Sequence, residues 1–173
     1  MEAPLHTGKI RLRPLNTADA EDMFRLRTDP VVNRYIDRQI PADIAEAEQY
    51  IDNILSGPDS SYYYTIRTYP WDVFAGKICL WNIDRHKRYA EVGYDLLPEF
   101  HRQGLMSEAM AVITALAFGE LGFKLLEAYT HRDNAASRRL LEKSGFRLLP
   151  DKTDPENTNN VIYELSAELY GVG

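Results

Sequence analysis

The chain reads as an α+β domain: a mixed, mostly antiparallel sheet of about seven strands with about four helices on its faces. Three observations carry this. Between Tyr62 and Leu97 lie three β-type runs joined by connections too short for crossover helices. Helical patterns stand before and after this block instead of following every strand. One strand-to-helix junction, LPEFHRQGLMSEAM (residues 97–110), carries a single-glycine basic loop. The resulting order, β-α-α-β-β-β-α-β-α-β-β, is no regular βαβ array. A dinucleotide-binding fold fits poorly, because there is no G-x-G-x-x-G and the glycine loop lies past mid-chain; the Walker lysine motif is absent.

Element by element, Ile10 and Leu12 alternate with Lys9, Arg11 and Arg13, a strand ended by Pro14. Thr17 is placed to cap a helix to about Thr28, with Asp19, Glu21 and Asp22 in its first turn; Asp29-Pro30 breaks it. A second helix starts near Asp43, its stripe being Ile44, Ala47, Ile51 and Leu55, and Gly57-Pro58 stops it. The strands Tyr62–Thr68, Val73–Ile83 and Tyr89–Leu97 form an antiparallel meander. A helix follows the glycine loop, with Met106, Ala109, Met110, Ile113, Leu116 and Ala117 on one face, ending near Gly122. Lys124–Thr130 is a strand, and Asp133 or Asn134 caps a helix through Ser144. Gly145 suits the left-handed position past its end, with Phe146 packing back on Leu141. Arg147–Leu149 begins a strand, Asp151–Asn160 is a polar loop, and Val161–Ala167 is the last strand.

Composition excludes several classes. A net charge of −6 argues against nucleic acid and suits a cationic substrate. The one cysteine, Cys79, rules out an intramolecular disulfide and speaks against a cysteine-based zinc site; no His/Asp/Glu cluster has ligand spacing, so no metal is expected. MEAPLHTGKI lacks the apolar core of a signal peptide, and no apolar run reaches the ~20 residues that span a bilayer, so no membrane partner is expected and the location expected is cytoplasmic.

The chemistry concentrates in the loop His101, Arg102, Gln103, Gly104. The first N–H groups of a helix have no internal partner and its dipole favours negative charge there. Glycine lets a phosphate approach the backbone, and Arg102 adds a forked donor. A bound pyrophosphate is the expectation.

Glu91-Val92-Gly93-Tyr94, Pro98-Glu99-Phe100, Gly104 and Glu108-Ala109 resemble the cofactor motif of GNAT-superfamily N-acetyltransferases, more narrowly the RimJ/RimL-like branch, which acetylates protein N-termini. Asn134-Ala135-Ala136-Ser137, Arg139 and Leu141-Glu142-Lys143-Ser144-Gly145-Phe146 resemble that branch's second motif, and IRLRPL and DPVVNRYI its opening. The chain departs from the superfamily loop at His101 and Met106. At Leu141 many members carry a tyrosine as general acid, and RimJ/RimL-like chains have a serine one helical turn earlier, here Ser137.

The resemblance implies one GNAT domain over residues 1–173, with a splay between the fourth and fifth strands of the sheet. It implies transfer of an acetyl group from acetyl-CoA to a primary amine by direct attack in a ternary complex. The pyrophosphate would lie on the N–H groups of Arg102, Gln103, Gly104, Leu105, Met106 and Ser107. The pantetheine arm would pair with the strand edge near Leu96 and Leu97. Asn134 would cap its helix or bond the arm, and Arg139 would contact a CoA phosphate or form a surface pair. Glu91 is the candidate for taking the amine's proton through a water, and Ser137 for protonating the departing thiolate. His101 and His131 are backups. Tyr62–Tyr64 with Trp71 or Trp81 could line the acceptor site. The acceptor is a protein N-terminus or a small molecule such as a polyamine, amino sugar or antibiotic, chosen by residues 31–60 and 151–160. A homodimer stays open, as does a non-catalytic CoA-binding module.

Overall fold

A computed structural model describes residues 5–59 and 62–171. Met1–Pro4 and Ser60, which fall within the stretches read for a signal peptide and for acceptor choice, lie outside them. Eight strands form one sheet: β1 (Leu5–Thr7), β2 (Ile10–Pro14), β3 (Tyr63–Thr68), β4 (Phe74–Asp84), β5 (Tyr89–Leu96), β6 (Leu125–His131), β7 (Arg147–Leu149) and β8 (Asn160–Ser166), in the order β1-β2-β3-β4-β5-β6-β8-β7. The sheet is antiparallel except for β5 beside β6. The short hairpin partner β1 accounts for the strand beyond the expected seven.

The helices are α1 (Ala20–Thr28), α2 (Ile44–Leu55), α3 (Leu105–Ala115), α4 (Ala135–Lys143) and the one-turn α5 (Ala167–Tyr170). Two ends differ from the sequence reading, and one helix changes type before its expected end. Asn16, not Thr17, opens the first helical segment: its side chain accepts from Ala18 N while Asp19 reaches back to Asn16 N, and one 3-10 turn leads into α1. The α3 segment relaxes into a π turn over Leu116–Glu120 before Gly122. β8 stops at Ser166, because that serine's hydroxyl accepts from Leu169 N and starts α5.

Two apolar clusters sandwich the sheet. One joins the inner faces of α3 and α4 to the sheet through Met106, Ala109, Met110, Ile113, Leu126 and Leu141. The other packs α1 and α2 on the opposite face through Met23, Leu26, Ile51, Phe74 and Leu97. Cys79 is buried, as its apolar neighbours suggest.

The strand pairing fixes the site. β5 and β6 are in register at Tyr89↔Leu125, Ala90↔Leu126 and Glu91↔Glu127. Beyond that last pair β5 runs on to Leu96 and β6 to His131 without pairing each other, while β6 stays paired with β8 to its end. The sheet therefore opens between β5 and β6, and the opening begins at two glutamates. With β1 counted, this is the gap expected between fourth and fifth strands.

Candidate active site

At the apex of the opening, two carboxylates share one phenol. Tyr89 donates its hydroxyl to Glu91 Oε1 (3.1 Å) and to Glu127 Oε2 (3.0 Å). Side chains two apart on a strand lie on one face, so Tyr89 and Glu91 stand together on β5, and Glu127 and Tyr129 on β6. Tyr129 donates to Glu127 Oε2 at 3.1 Å, and Lys152, from the loop after β7, reaches both Glu127 oxygens at 2.5 and 2.7 Å.

The environments of the two acids differ. Glu127 is buried and ion-paired. Glu91 is buried, and among the described residues it has no ion pair. It accepts from Asn82 Nδ2 at 2.6 Å and from Tyr89, both on Oε1, and among the described residues Oε2 has no hydrogen-bond partner. Burial, outweighing those two hydrogen bonds and reinforced by the Glu127 charge, pushes the Glu91 carboxyl above the usual range. Asn82 gets there because β4 is irregular after Trp81: the register with β5 shifts, and Asn82 takes a left-handed φ of 49°. Trp81 lies over Gly93, where an added Cβ would meet the thiol of Cys79 at 3.2 Å and the indole Nε1 at 3.5 Å. Trp81 thus borders the Glu91 face. Trp71 sits at the β3–β4 tip, away from the apex, 80% exposed.

On the other sheet face, the Tyr94 hydroxyl and Ser137 Oγ are 2.7 Å apart. Burial holds Tyr94 neutral, its pKa pushed up despite the bond to Ser137. Ser137 is placed by the start of α4, where Asn134 Oδ1 accepts from Ser137 N at 3.1 Å. The Asn134 oxygen therefore acts as a helix cap. The helix is held on β8 by Arg138 donating to the Tyr163 hydroxyl, which in turn donates to Glu142. Its end follows the sequence reading: Gly145 has φ +91°, and Phe146 N bonds Leu141 O.

The glycine loop follows the end of β5 that is unpaired with β6. Arg102 (φ +61°) and Gly104 (φ +83°) both adopt left-handed backbone. The first intrahelical bond is Glu108 N to Gly104 O, so the N–H groups of Leu105, Met106 and Ser107 are left for an external acceptor. In front of Gly104 the nearest atom to an added Cβ is Lys9 Nζ, at 4.0 Å. The side chains of Leu105 and Met106 are buried in the core, and Gln103 Nε2 closes the loop on Glu99 O. Arg102 and Arg139 are exposed. A backbone cradle of this kind fits a phosphate group.

Leu96 and Leu97 differ as edge partners. Leu97 N donates to Ala75 O on β4 and Leu97 O accepts from Phe100 N, so its backbone is spent inside the protein. The alternation then turns the backbone of Leu96 toward the opening, where His101 Nε2 lies 2.9 Å from Leu96 O. His131 accepts Asp133 N on Nδ1 and packs against the Tyr35 ring, 5.4 Å between centroids. Both histidines thus hold loop structure.

Sequence reasoning missed Asn82, Tyr89, Tyr94, Glu127, Tyr129 and Lys152 as site residues. The mirrored pairs Tyr89-x-Glu91 and Glu127-x-Tyr129 were a readable period-two signal. Lys152 carried none.

A family model described as an acetyltransferase (GNAT) domain matches residues 9–147. The Bacillus subtilis (strain 168) N-acetyltransferase YoaA, itself uncharacterized, is 29% identical over 150 residues, covering 83% of this chain and 82% of that protein. A ribosomal-protein-S5-alanine acetyltransferase structure from Vibrio fischeri superposes with a TM-score of 0.81 at 16% identity, covering 96% and 98% of the two chains. A chimeric spermidine N-acetyltransferase from Vibrio cholerae gives a TM-score of 0.80 at 16% identity, covering 94% and 98%. These structures share the fold. The chain belongs to the GNAT acetyltransferase family, whose members use acetyl-CoA, and its reaction class is N-acetyl transfer.

Proposed function

We propose that the chain is one catalytic domain of the RimJ/RimL-like branch, working in the cytoplasm. It transfers the acetyl group of acetyl-CoA to a primary amine by direct attack in a ternary complex, with a protein N-terminal α-amine as the leading acceptor. One observation carries the reading: the sheet opens at a buried carboxylate pair, with the glycine loop after the end of β5 that is unpaired with β6 and a paired Tyr94–Ser137 hydroxyl on the opposite sheet face.

In this reading the backbone N–H groups of Arg102–Ser107 hold the pyrophosphate, Arg102 and Arg139 add charge, and Leu96 is the edge partner for the pantetheine arm. When bound, acetyl-CoA supplies a thioester carbon open to attack. Glu91, ionised and with no partner on Oε2 among the described residues, takes a proton from the incoming ammonium through a water. An α-amine, with a pKa of about 8, gives it up more readily than a lysine-like amine of about 10, which favours the N-terminal acceptor. Ser137, backed by Tyr94, donates to the leaving sulfur.

The experiment is CoA-thiol release with acetyl-CoA over a panel of peptides with free N-termini, polyamines, amino sugars and aminoglycosides. Turnover on peptides is the expected result. Turnover confined to small amines moves the acceptor class, and binding of acetyl-CoA without turnover on any amine overturns the reading.

A further inference from the structure

The apex of the opening already holds a primary amine. Lys152 Nζ lies 2.5 and 2.7 Å from the two oxygens of Glu127, which is hydrogen-bonded through Tyr89 to Glu91. The Lys152 side chain is half-exposed, whereas Glu127 is buried, so the lysine reaches in from solvent over the carboxylate pair. The other five lysines stand elsewhere. Lys124 is exposed before β6, its N–H bonded to Arg88 O at the paired end of β5 and β6. Lys77 is buried against Asp95 (3.2 Å). Lys9 bonds Gln103 O beside the glycine loop. Lys87 pairs with Asp84 at the β4–β5 turn, its side chain 80% exposed. Lys143 is exposed at the end of α4.

We propose that Lys152 is an internal acceptor: with acetyl-CoA bound and no amine present, the protein acetylates its own Lys152 side chain. This rests on the acetyl-transfer reading of the same opening. The ammonium gives one proton to the Glu127 carboxylate with which it is already bonded. Its nitrogen then forms the amide bond to the acetyl carbon, the carbon–sulfur bond breaks, and a second proton passes to the sulfur, so CoA leaves as the thiol. Glu127 returns its proton to solvent. Acetylation removes the Lys152 charge and with it the only ion pair that Glu127 makes among the described residues.

The test uses the intact protein and deuterated acetyl-CoA without added amine, followed by peptide mass spectrometry over time. Lys152 is expected to take label at least tenfold faster than Lys87 and Lys143. The rate per molecule should be unchanged on tenfold dilution, and added CoA should suppress the Lys152 label but not that on Lys87. Labelling of Lys152 no faster than of Lys87, or a rate that rises with protein concentration, overturns the proposal. Turnover on an amine of the panel with Lys152 unlabelled also overturns it while sparing the functional reading. If neither an external amine nor Lys152 takes label, that reading falls too.

Discussion

Glu91 owes its behaviour to its surroundings: burial raises its pKa, Asn82 and Tyr89 pull the other way, and burial wins. Activity that needs the ionised form then rises with pH through an apparent pKa above the usual ~4.3 of a glutamate. Stability runs the other way. Between the unfolded and the raised folded pKa the folded state holds the extra proton, so the Glu91 contribution is present at low pH and lost as pH climbs through that window. Glu91→Gln is therefore expected to lower kcat about 10²-fold or more, with a Tm at pH 7 equal to or above that of the parent. A melt several degrees lower would make Glu91 a structural residue. Ser137→Ala should lower kcat by about 10–100-fold with acetyl-CoA affinity unchanged, and Tyr94→Phe, which removes only the partner hydroxyl, should lower it less. Unchanged kcat in Ser137→Ala would remove it as the acid. Glu91 and Ser137 could be named from motifs because their neighbours in sequence carry a pattern. Tyr94 and Asn82 could not be assigned, since one depends on where α4 docks and the other on a bulge that turns an outward position toward Glu91.

The strand–loop–helix unit from β5 to α3 was the most legible element. Glycine at 104 announced a loop that a phosphate can approach closely, and the apolar stripe of α3 announced the face that buries Met106 and Met110. A β-branched residue at φ +83° costs of the order of 1–3 kcal/mol in strain, and its side chain enters the open space where Lys9 Nζ, at 4.0 Å, is the nearest atom. Gly104→Val should raise the Kd of acetyl-CoA about tenfold or more, since ~1.4 kcal/mol corresponds to a factor of ten. Calorimetry showing unchanged affinity would dissociate the loop from cofactor binding. Where element ends were misread, local hydrogen bonds were the cause. Asn16 out-competes Thr17 because Asp19 completes a reciprocal cap with it, and Ser166 converts the end of a strand into the start of a helix.

Across the whole molecule, one buried charge cluster ties the sheet to the segment before α2. Asp95 on β5 meets Lys77 of β4 at 3.2 Å and Arg38 at 2.8 Å, and Arg38 Nε also bonds Asn33. Burial opposes ionisation of Asp95, but Lys77 and Arg38 together hold its carboxyl below the usual range. Its contribution is thus present above the unfolded pKa of about 3.9 and lost as pH falls through the lower folded value. Asp95→Ala strands two buried cations and should cost about 3–5 kcal/mol in urea unfolding at pH 7, with a flatter acid limb than the parent. A loss below about 1 kcal/mol would mean that the cations find other partners.

The sequence by itself determined what short-range chemistry can encode: the strand and helix periods, the caps, the glycine turn, and through two spaced motifs the family. Only the tertiary structure decided the site. β5 and β6 part after Glu91↔Glu127 while β6 stays paired with β8, a contact between segments far apart in the chain. The last pair before that parting sets Glu127 beside Glu91 and Tyr89, and the fold gives Lys152, a residue in a polar loop without periodicity, a buried carboxylate to bind.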